Sequence, residues 1–467
     1  MTGSLVKGMM DCGYMDYEPA ALFLNGDYWG IYNIREKFNT RYFFENFGVD
    51  PDNIDHLEYT PTVSGTGLLV VEGDMVAYNE LLAFIQNHDL NQLEPYLELQ
   101  DKMNVDGFID HVTMTLYAAN TSWGHNREWW RPRTANGKWQ WLIVDVDRAF
   151  NLANLITNLV DNLLIDYGLF QSLMASQHFK DRFVQRAASH INNTFDPDRI
   201  ADIVDDLSAE IELEMPRHIE RWGAAGSVSS MTYWQNELDA IREFALGRGN
   251  IVFDQLINEL DLTGTVDISV VLDPPDAGQI FMQNVPLVSP AGAGRFFKDI
   301  PLELTAIARP GYQFMGWLGG SESPSITYDC GADSVFIAQF QSSQDIVLSE
   351  TISVNTSLSG THTYLVDQNL YVPPGVTLTL DAGCEIQMPA NGHFVVQGRL
   401  LANGTAENPV TIHSNPNIGS NRWGGISFSS ASDTSRLRHA IIRGASRGID
   451  PIIHRGAISS INSNLEL

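Results

Sequence analysis

The spacing of apolar residues predicts mixed α and β structure in the first part of the chain. Up to about residue 260, short apolar runs are followed by segments that carry apolar residues at helical spacing. The pair Asn25-Gly26 between two apolar runs predicts a β-hairpin. Asp196 before Pro197 predicts the start of a later helix. Strands that precede helices are typical of an α+β domain, which we expect to have two lobes.

The pattern then changes to one that predicts only β structure. Between residues 264 and 343, apolar and polar positions alternate by twos, which indicates a small all-β module. From residue 344 to 467, short strands recur at a spacing of roughly twenty residues with Gly, Asn or Pro between them, and this favours a parallel β-solenoid. The sequence therefore predicts three domains, at 1–262, 264–343 and 344–467.

Composition limits the classes of function. A chain of 467 residues is too long for one core, and no stretch approaches the roughly 18 apolar residues of a membrane span. The formal net charge of −29 argues against nucleic acid or an anionic membrane as a partner. The three cysteines lie far apart and indicate no disulfide framework. Because no signal peptide precedes the first domain and the repeating pattern stops abruptly, we expect both ends to be truncated.

Two acidic residues follow the most apolar strand of the first domain. The run Trp141–Val144 predicts a buried strand, and alternation places Asp145 and Asp147 on the same side of its end. Two carboxylates about 7 Å apart repel each other unless a cation lies near them, and Mg²⁺ prefers one or two carboxylates plus phosphate oxygens. The doublet thus predicts a metal site. The alternative is an ion pair with a nearby arginine: Arg127, Arg131 or Arg148.

Asn126 lies upstream of Asp145, across a predicted hairpin. An Asn and an Asp on adjacent strands can share a cation, as the catalytic-loop Asn and the metal-binding Asp of protein kinases do. The alternative is that Asn126 caps loop backbone, which is the commoner role of a loop asparagine. Its neighbouring tryptophans are expected to pack in the core and across the hairpin.

A second charged stretch, Arg35, Glu36 and Lys37, follows an aromatic strand. Alternation places Glu36 opposite its two basic neighbours. Such a glutamate can pair with a strand-borne cation that orients ATP phosphates, or the three residues can form a solvated charge trio. His111 and His125 have no partners at the spacing of zinc ligands.

Five ordered blocks of the sequence resemble the CotH family, the spore-coat protein H type of atypical secreted protein kinase. They are FLNGDYWGIYNIREKF, the EGD turn before a helix, the NTSW block that ends in WWRP, GKWQWLIVDVDRAF, and LFQSLMASQHFKDRFVQRAASHINNTF followed by EMPRHIERW. The resemblance covers about residues 10 to 260. It implies a kinase-like fold, ATP with Mg²⁺ or Mn²⁺ as cofactors, and phosphoryl transfer to Ser or Thr of an extracellular or coat protein.

The resemblance also implies roles for individual residues. Asp145 matches the metal-binding Asp of that family, Asn126 matches the Asn of the preceding block, and Asp147 matches a neighbouring acidic or amide position. Glu36 matches the Glu after the aromatic strand, where it would position a phosphate-contacting cation. Arg35 and Lys37 are the candidate cations, together with a lysine in sequence before Met1.

Ser122 departs from the pattern of the family. Many members have an Asp at this position, and a catalytic role is assigned to it. A serine hydroxyl can neither bind a cation as a charged ligand nor accept the substrate proton at neutral pH. Two functions therefore stay open: a kinase of reduced rate, for which Asp110 is a candidate substitute acid, or a pseudokinase that acts as a structural or nucleotide-binding module.

The two β modules also resemble known types. GYQFMGWLGG followed by SVFIAQF is similar to the divergent InlB B-repeat of bacterial surface proteins, and the last module resembles a right-handed parallel β-helix. Asp367, Asp381 and Glu385 can be interpreted as lyase or hydrolase acids or, alternatively, as solvated corners. Both likenesses imply an exported bacterial protein at the cell surface, whose β modules act as a spacer and bind a cell-wall, glycan or protein ligand.

Overall fold

The computed structural model divides the chain into two compact units, which are described separately. It describes residues 1–62, 65–224, 226, 228–289, 291–309, 311–342, 346–348, 350–415, 422–431, 433–446 and 456–467. The first unit comprises Met1–Ser269, Phe281–Leu304 and Thr327–Val335. The second comprises Val270–Ile280, Thr305–Ile326 and Phe336–Leu467. The predicted boundary at 343 and 344 lies outside the described residues.

The first unit is a mixture of helices and short strands, as predicted. Its strands are Tyr17–Leu24 (β1), Asp27–Arg35 (β2), Ile54–Thr62 (β3), Gly65–Glu72 (β4), Arg127–Pro132 (β5) and Gln140–Leu142 (β6). Its helices are Thr2–Val6 (α1), Thr40–Phe47 (α2), Val76–Asn87 (α3), Leu93–Lys102 (α4), Val105–Tyr117 (α5), Val160–Asp166 (α6), Gly168–Met174 (α7), Gln177–Asn192 (α8), Pro197–Glu212 (α9), Met215–Trp222 (α10) and Met231–Glu259 (α11). The expectation of two lobes stays a prediction.

Local sequence signals account for several of these boundaries. Strands β1 and β2 pair antiparallel around a turn at Asn25 and Gly26, whose φ angles of 54° and 89° lie in the left-handed region. This confirms the predicted hairpin. Helix α9 begins at Pro197, and the Asp196 carboxylate accepts hydrogen bonds from the backbone N–H groups of Asp198 and Arg199. The N-cap prediction is therefore confirmed as well.

Four antiparallel strands form the larger sheet of the first unit, in the order β4-β3-β5-β6. Across it, Trp129 of β5 lies opposite Trp141 of β6, and both are buried. Helix α5 packs against this layer and is buried over nearly its whole length. Its Phe108 contacts the rings of Trp141 and Phe170. The aromatic core therefore fixes the position of the loop that leaves β6.

The first unit also includes residues that follow α11. The side-chain amide of Gln185, buried in α8, donates to the carbonyl oxygens of Phe297 and Ile300 at 3.0 and 2.7 Å. Its Oε1 accepts from the backbone N–H of Phe297 at 3.1 Å. Arg186 donates from Nη1 to the carbonyl oxygen of Gln283 at 2.8 Å. These bonds make the later segment part of the same core.

After α11 the described residues form strands and no helices, as the alternation of apolar and polar residues predicted. The middle strands are Thr265–Asp273 (β7), Gly278–Met282 (β8), Val285–Pro286 (β9), Ala291–Phe297 (β10), Leu302–Ala308 (β11), Tyr312–Trp317 (β12), Ser325–Tyr328 (β13) and Ser334–Ser342 (β14). Strand β12 pairs antiparallel with β14. The likeness of this region to an InlB B-repeat stays a prediction.

The last strands of the second unit form three parallel sheets. The strands are Ile346–Leu348 (β15), Thr356–Leu358 (β16), Thr363–Val366 (β17), Leu370–Val372 (β18), Thr377–Leu380 (β19), Glu385–Met388 (β20), His393–Val396 (β21), Arg399–Asn403 (β22), Val410–Ser414 (β23), Gly425–Ser429 (β24), Ser435–Arg438 (β25), Ala440–Ile442 (β26), Ile458–Ile461 (β27) and Leu465–Glu466 (β28). The sheet orders are β15-β17-β20-β23-β26, β16-β19-β22-β25-β28 and β18-β21-β24-β27. Register pairs such as Leu378 with Leu400 stack buried residues, so the predicted parallel pairing is present.

The described ranges bear on two features of the chain, apolar helices and cysteine side chains. Within them, no helix combines the length and the apolar character needed to cross a membrane. Cys12, Cys330 and Cys384 are buried and free. Their burial favours a packing role over a redox role, and it raises the pKa of the Cys330 and Cys384 thiols to about 12.

Candidate functional site

A cavity of about 480 Å³ in the first unit brings the hairpin and the loop after β6 together. The hairpin contributes Tyr17, Asn33 and Arg35 to its lining, and the loop contributes Asp145 and Asp147. The opposite wall is apolar and comes from α9 and α11: Val204, Leu207, Ile211, Trp234, Leu238 and Ile241. A charged wall that faces an apolar wall suits a ligand with an anionic end and an aromatic end.

The loop after β6 begins earlier than the apolar run predicted. Strand β6 ends at Leu142, although Ile143 and Val144 are still buried. Asp145 then adopts a φ of 42°, in the left-handed region that non-glycine residues seldom occupy. The backbone therefore turns at Asp145 rather than continuing as a strand. The expectation that simple strand alternation places Asp145 and Asp147 is wrong at this point, because their positions depend on the turn.

The two carboxylates nevertheless lie close together. Partial desolvation raises the pKa of Asp145 first, and the negative charge of Asp147 and a hydrogen bond between the two side chains raise it further. His125 and Asn126 act in the opposite direction, the first by its charge and the second through a hydrogen bond to Asp145. Both carboxylates are exposed to the cavity. Such a crowded pair favours the binding of a cation, which would relieve the repulsion.

The arginine alternative for these carboxylates has no support among the described ion pairs. Arg131 pairs instead with the buried Asp55, with Nε 3.4 Å from Oδ2. Arg127 lies over the rings of Tyr59 and Tyr167. Within the described part of the chain, no ion pair joins either arginine, or Arg148, to Asp145 or Asp147. These acidic side chains therefore stay available to a ligand.

Ser122 and Asn126 lie beside the acidic pair. Residues Trp123–His125 form a single 3-10 turn between them. The amide Nδ2 of Asn126 lies 3.5 Å from Ser122 Oγ, and its side chain also bonds Asp145. The fold thus brings four of the predicted site residues together, with Asn126 between Ser122 and the carboxylates.

The Ser122 hydroxyl itself is engaged in holding the loop. Its side chain is 6% exposed, and both its backbone N–H and its Oγ donate to Asn120 Oδ1, at 3.1 and 3.0 Å. The hydroxyl proton is therefore used by Asn120. Since an alcohol oxygen is too weakly basic to take a proton at neutral pH, Ser122 orders the turn rather than acting as a base.

Only one residue of the charged stretch at the end of β2 lines the cavity. Arg35 is part of the lining, whereas Lys37 is exposed elsewhere. The Glu36 carboxylate accepts hydrogen bonds from the backbone N–H of Asp16 at 2.9 Å and from Asn46 Nδ2 at 3.0 Å. Within the described residues it forms no ion pair with a basic side chain. Glu36 therefore fixes the end of the strand that carries Arg35.

Asp110, the candidate substitute acid, belongs to a separate cluster in the core. It is fully buried, and Arg186 Nε and His190 Nε2 lie 2.6 and 2.7 Å from its Oδ1. Burial alone would raise the pKa of Asp110, but the charges of Arg186 and His190 lower it well below its ordinary value. A buried and paired carboxylate cannot reach a substrate. The structure therefore gives Asp110 a structural role.

The donor set beside the cavity fits a cation that arrives with its ligand. Asp145 and Asp147 supply carboxylate oxygen atoms, which Mg²⁺ and Mn²⁺ prefer, and the side chain of Asn126 donates a hydrogen bond to Asp145. Over the described ranges, no group of three or more His, Cys, Asp and Glu side chains is placed to hold a metal ion. Two carboxylates suit Mg²⁺, which commonly takes its other ligands from water and phosphate.

The acidic residues of the parallel sheets make separate local contacts. Asp381 accepts a hydrogen bond from Ser357 at 3.2 Å, while Glu385 lies 3.0 Å from His413 Nε2. Hydrogen bonds from Gln387 and His413 lower the pKa of Glu385. Asp367 is exposed. These surroundings favour the interpretation of solvated corners over that of a catalytic pair.

Sequence reasoning missed the apolar wall of the cavity. Residues such as Leu207 and Trp234 lie far along the chain from Asp145, and their spacing is that of ordinary amphipathic helices. No short-range signal distinguishes a helix face that lines a ligand cavity from one that packs in the core. The hairpin wall, by contrast, carries the charged residues that the sequence did single out.

A comparison with family models supports the resemblance noted in the sequence. The model described as CotH kinase protein matches residues 2–252, which is more than half of the chain. The matched range contains the hairpin, Ser122, Asn126 and the acidic pair. No curated protein matches the chain significantly.

Proposed function

The chain belongs to the CotH kinase protein family, and on that basis we propose that it is an atypical protein kinase. It transfers the γ-phosphate of ATP to Ser or Thr of extracellular or coat proteins. The observation that carries this proposal is the meeting of Asp145, Asp147 and Asn126 at a cavity with an apolar wall. The proposed kinase domain is the predicted segment 1–262, and Phe281–Leu304 and Thr327–Val335 belong to the same compact unit.

In this proposal different residues around the cavity bind different parts of ATP. Asp145, with Asn126 and Asp147, holds the Mg²⁺ or Mn²⁺ that accompanies the ATP phosphates and neutralises their charge. The apolar wall from α9 and α11 receives the adenine ring. Arg35 contacts a phosphate, and it is a better candidate than Lys37 because it lines the cavity. Glu36 keeps Arg35 in place through Asp16 and Asn46.

The lack of a carboxylate at position 122 lowers the expected rate without excluding the reaction. Phosphoryl transfer depends mainly on positioning and on electrostatic stabilisation, and both are supplied by the cation site. A general base contributes about 10²–10⁴-fold in typical enzymes. We therefore propose a slow kinase, in which Ser122 preserves the shape of the loop but not its base.

The test is phosphate transfer from radiolabelled ATP by the full chain. The assay contains Mg²⁺ or Mn²⁺ and a serine-rich protein substrate, and it compares the wild type with Asp145→Asn. Loss of a cation ligand is expected to lower the rate of phosphate transfer about 10²–10³-fold. Asp202→Asn is the matched control, because Asp202 is an exposed acid of α9 outside the cavity lining. Equal transfer by wild type and Asp145→Asn would contradict the proposal.

A pseudokinase is the second candidate, and the observation that favours it is the hydrogen bonding of Ser122. Its hydroxyl is buried and donates to Asn120, so the loop has no base at the expected position. A pseudokinase binds ATP with Mg²⁺ but gives no transfer to any acceptor. ATP binding measured by calorimetry, together with undetectable transfer, would therefore replace the kinase by a nucleotide-binding module.

For the rest of the chain we propose a role in display and adhesion. The segment 264–343 acts as an InlB B-repeat-like spacer, and 344–467 acts as a right-handed parallel β-helix that binds a cell-wall, glycan or protein ligand. The three parallel sheets support the second assignment. Both assignments place the protein outside the cell or on the bacterial surface. Fractionation of the bacterium with an antibody against the chain tests this, and detection only in the cytoplasm would contradict it.

A further inference from the structure

Arg127 is a buried cation that has no counter-ion among the described residues. Its side chain is 8% exposed, and it takes part in no ion pair in the described part of the chain. Its Nη2 donates to the carbonyl oxygen of Gly124 at 3.3 Å, while its Nε has no hydrogen-bond partner. A buried charge with an unsatisfied donor is unfavourable unless something outside the chain completes it.

Aromatic rings stabilise the faces of this guanidinium but leave part of its edge unused. Its central carbon lies 4.4 Å from the ring centroids of both Tyr59 and Tyr167 and 5.3 Å from that of Trp123. The Tyr167 hydroxyl also forms a hydrogen bond with it. Cation–π contacts act perpendicular to the guanidinium plane, whereas its N–H groups point outward within that plane. The Nε–H is itself enclosed by protein, so a ligand in the cavity that Arg127 lines reaches the guanidinium through its Nη groups.

Two other buried arginines of the first unit show how this fold normally satisfies such a charge. Arg186 forms two hydrogen bonds with the Asp110 carboxylate, at 2.6 and 2.7 Å. Arg248 donates to four carbonyl oxygens, those of Leu116, Tyr117, Leu155 and Thr157. Arg127 has neither arrangement. Unlike them, it lines an open cavity.

That cavity has a volume of about 660 Å³ and lies between the 121–125 turn and the end of α6. Besides Arg127, it is lined by hydrogen-bonding side chains of Thr121, His125 and Asn162, and by the carboxylate of Asp166. Asp166 is exposed and is the one acid among the described lining residues. We propose that this cavity binds an oxyanion of the phosphate class, with Arg127 as its buried cation.

The positive charge of Arg127 acts on two buried neighbours, His111 and Tyr167. Burial lowers the pKa of His111 first, and the positive charge of Arg127 lowers it further, to about 4. The same charge opposes the rise that burial causes in the pKa of Tyr167. An incoming oxyanion therefore meets a positive potential within a protein of net charge −29.

This oxyanion site is distinct from the proposed ATP cavity, and its existence does not require kinase activity. The two cavities have no lining residue in common. A phosphate group can reach the site either as the free ion or on a phosphorylated side chain of a protein. Both offer the same oxygens to Arg127, but only the second brings flanking residues that can contact Trp123 and Tyr59.

Calorimetric titration of the full chain with inorganic phosphate and with a phosphoserine peptide tests the proposal. Wild type is expected to bind at least one of the two probes, and Arg127→Gln is expected to weaken that binding at least tenfold. Arg127→Lys keeps the charge and should retain part of the affinity. Arg35→Gln, which removes the cation that lines the proposed ATP cavity, should leave the affinity for both probes unchanged, and this separates the two sites.

The variant Asp166→Asn distinguishes a ligand-binding role of Arg127 from a purely structural one, because only the first predicts a change in probe affinity. Removal of the one acid in the lining should tighten binding of both probes several-fold, because it removes repulsion of the oxyanion. If Arg127→Gln does not fold, this variant decides: tighter binding supports the site, and unchanged binding overturns it. Failure of the wild type to bind either probe, or equal binding by Arg127→Gln, also overturns it. Preference for the peptide identifies a phosphoprotein ligand, and equal affinity identifies the free ion.

Discussion

Two acidic clusters of the first unit have opposite chemistry although each is built on an aspartate. Asp110 is fully buried and satisfied by Arg186 and His190, which lower its pKa. Asp145 is exposed and lies against a second carboxylate, Asp147, which contributes to raising its pKa. The first cluster is complete within the chain, whereas the second is incomplete. An acid whose charge the fold leaves unbalanced is the better candidate for ligand binding.

The largest expected effect is on folding and comes from the complete cluster. Asp110→Ala removes both hydrogen bonds between the Asp110 carboxylate and Arg186 and leaves the guanidinium with Asp106, whose Oδ2 lies 3.3 Å from Nη1. Because His190 loses its partner as well, we expect a cost of about 3 kcal/mol in the free energy of unfolding. Urea denaturation followed by circular dichroism measures this loss. Asp202→Ala, at an exposed position of α9, should change the free energy by less than about 0.5 kcal/mol. Equal losses in the two variants would mean that the Asp110 cluster does not stabilise the fold.

A smaller effect on activity is expected from an acid placed beside the incomplete cluster. Ser122→Asp restores a carboxylate near Asn126 and should raise the rate of phosphate transfer about tenfold, below the usual range for a base. The gain is limited because Asn120 Oδ1, which now accepts from Ser122, would repel the new carboxylate. Ser122→Asn is the neutral control of similar size. A rate that does not rise, in an enzyme with measurable transfer, would show that position 122 is not where the base acts.

A fall in pH should change the contributions of the two clusters to the free energy of unfolding in opposite directions. Burial lowers the pKa of His190, so the folded protein binds its proton less readily than the unfolded chain, whose value is near 6.5. Stability from His190 is thus present above pH 6.5 and is lost as the pH falls. The raised pKa of Asp145 has the reverse sign: its contribution is present at low pH and lost as the pH rises through the folded value.

The measurement is the free energy of unfolding at a series of pH values in wild type and His190→Gln. Below pH 6.5, the free energy of unfolding should fall less steeply with decreasing pH in the variant than in wild type. The difference in slope is at most that of one bound proton, about 1.4 kcal/mol per pH unit. Asp145→Asn serves as the comparison and should not reduce this dependence. Identical slopes in wild type and His190→Gln would show that His190 does not make the stability of its cluster depend on pH.

The smallest expected effect is a change of charge within the incomplete cluster. Asp147→Asn removes one of the causes that raise the pKa of Asp145, so that pKa should move down toward its ordinary value. Carbon-13 NMR of labelled aspartate carboxyl groups follows this titration. Asp161→Asn, a change at an exposed acid of α6, should leave the Asp145 titration unchanged. A pKa of Asp145 that does not move would show that the two carboxylates do not interact.

Short-range signals in the sequence predicted a substantial part of the fold. The Asn25-Gly26 turn and the cap at Asp196 depend on residues next to each other, and both are present in the structure. The parallel pairing of the last strands follows from a repeat that stacks like residues. The neighbourhood of Asn126 and Asp145 was also indicated, because both residues flank one short hairpin.

Features that depend on distant residues could not be predicted in this way. Asp110 finds Arg186 at a separation of 76 residues, and no spacing rule connects them. Glu36 bonds Asn46 and the backbone of Asp16 rather than the adjacent basic residues. The turn at Asp145, with its positive φ, interrupts an apolar run that has no glycine to announce it. In each case tertiary packing determines the result, and local propensity does not.

The hydrogen bonds between Gln185 and the segment around Phe297 have a consequence for evolution by recombination. Gene fusion commonly joins domains at their ends, but here a break at residue 262 would separate Gln185 from the carbonyl oxygens that satisfy it. Arg186 would likewise lose the carbonyl oxygen of Gln283. A buried amide without partners destabilises a core. A gene fusion that attached a new domain at residue 262 is therefore expected to give an unstable first unit unless it kept the strands after α11.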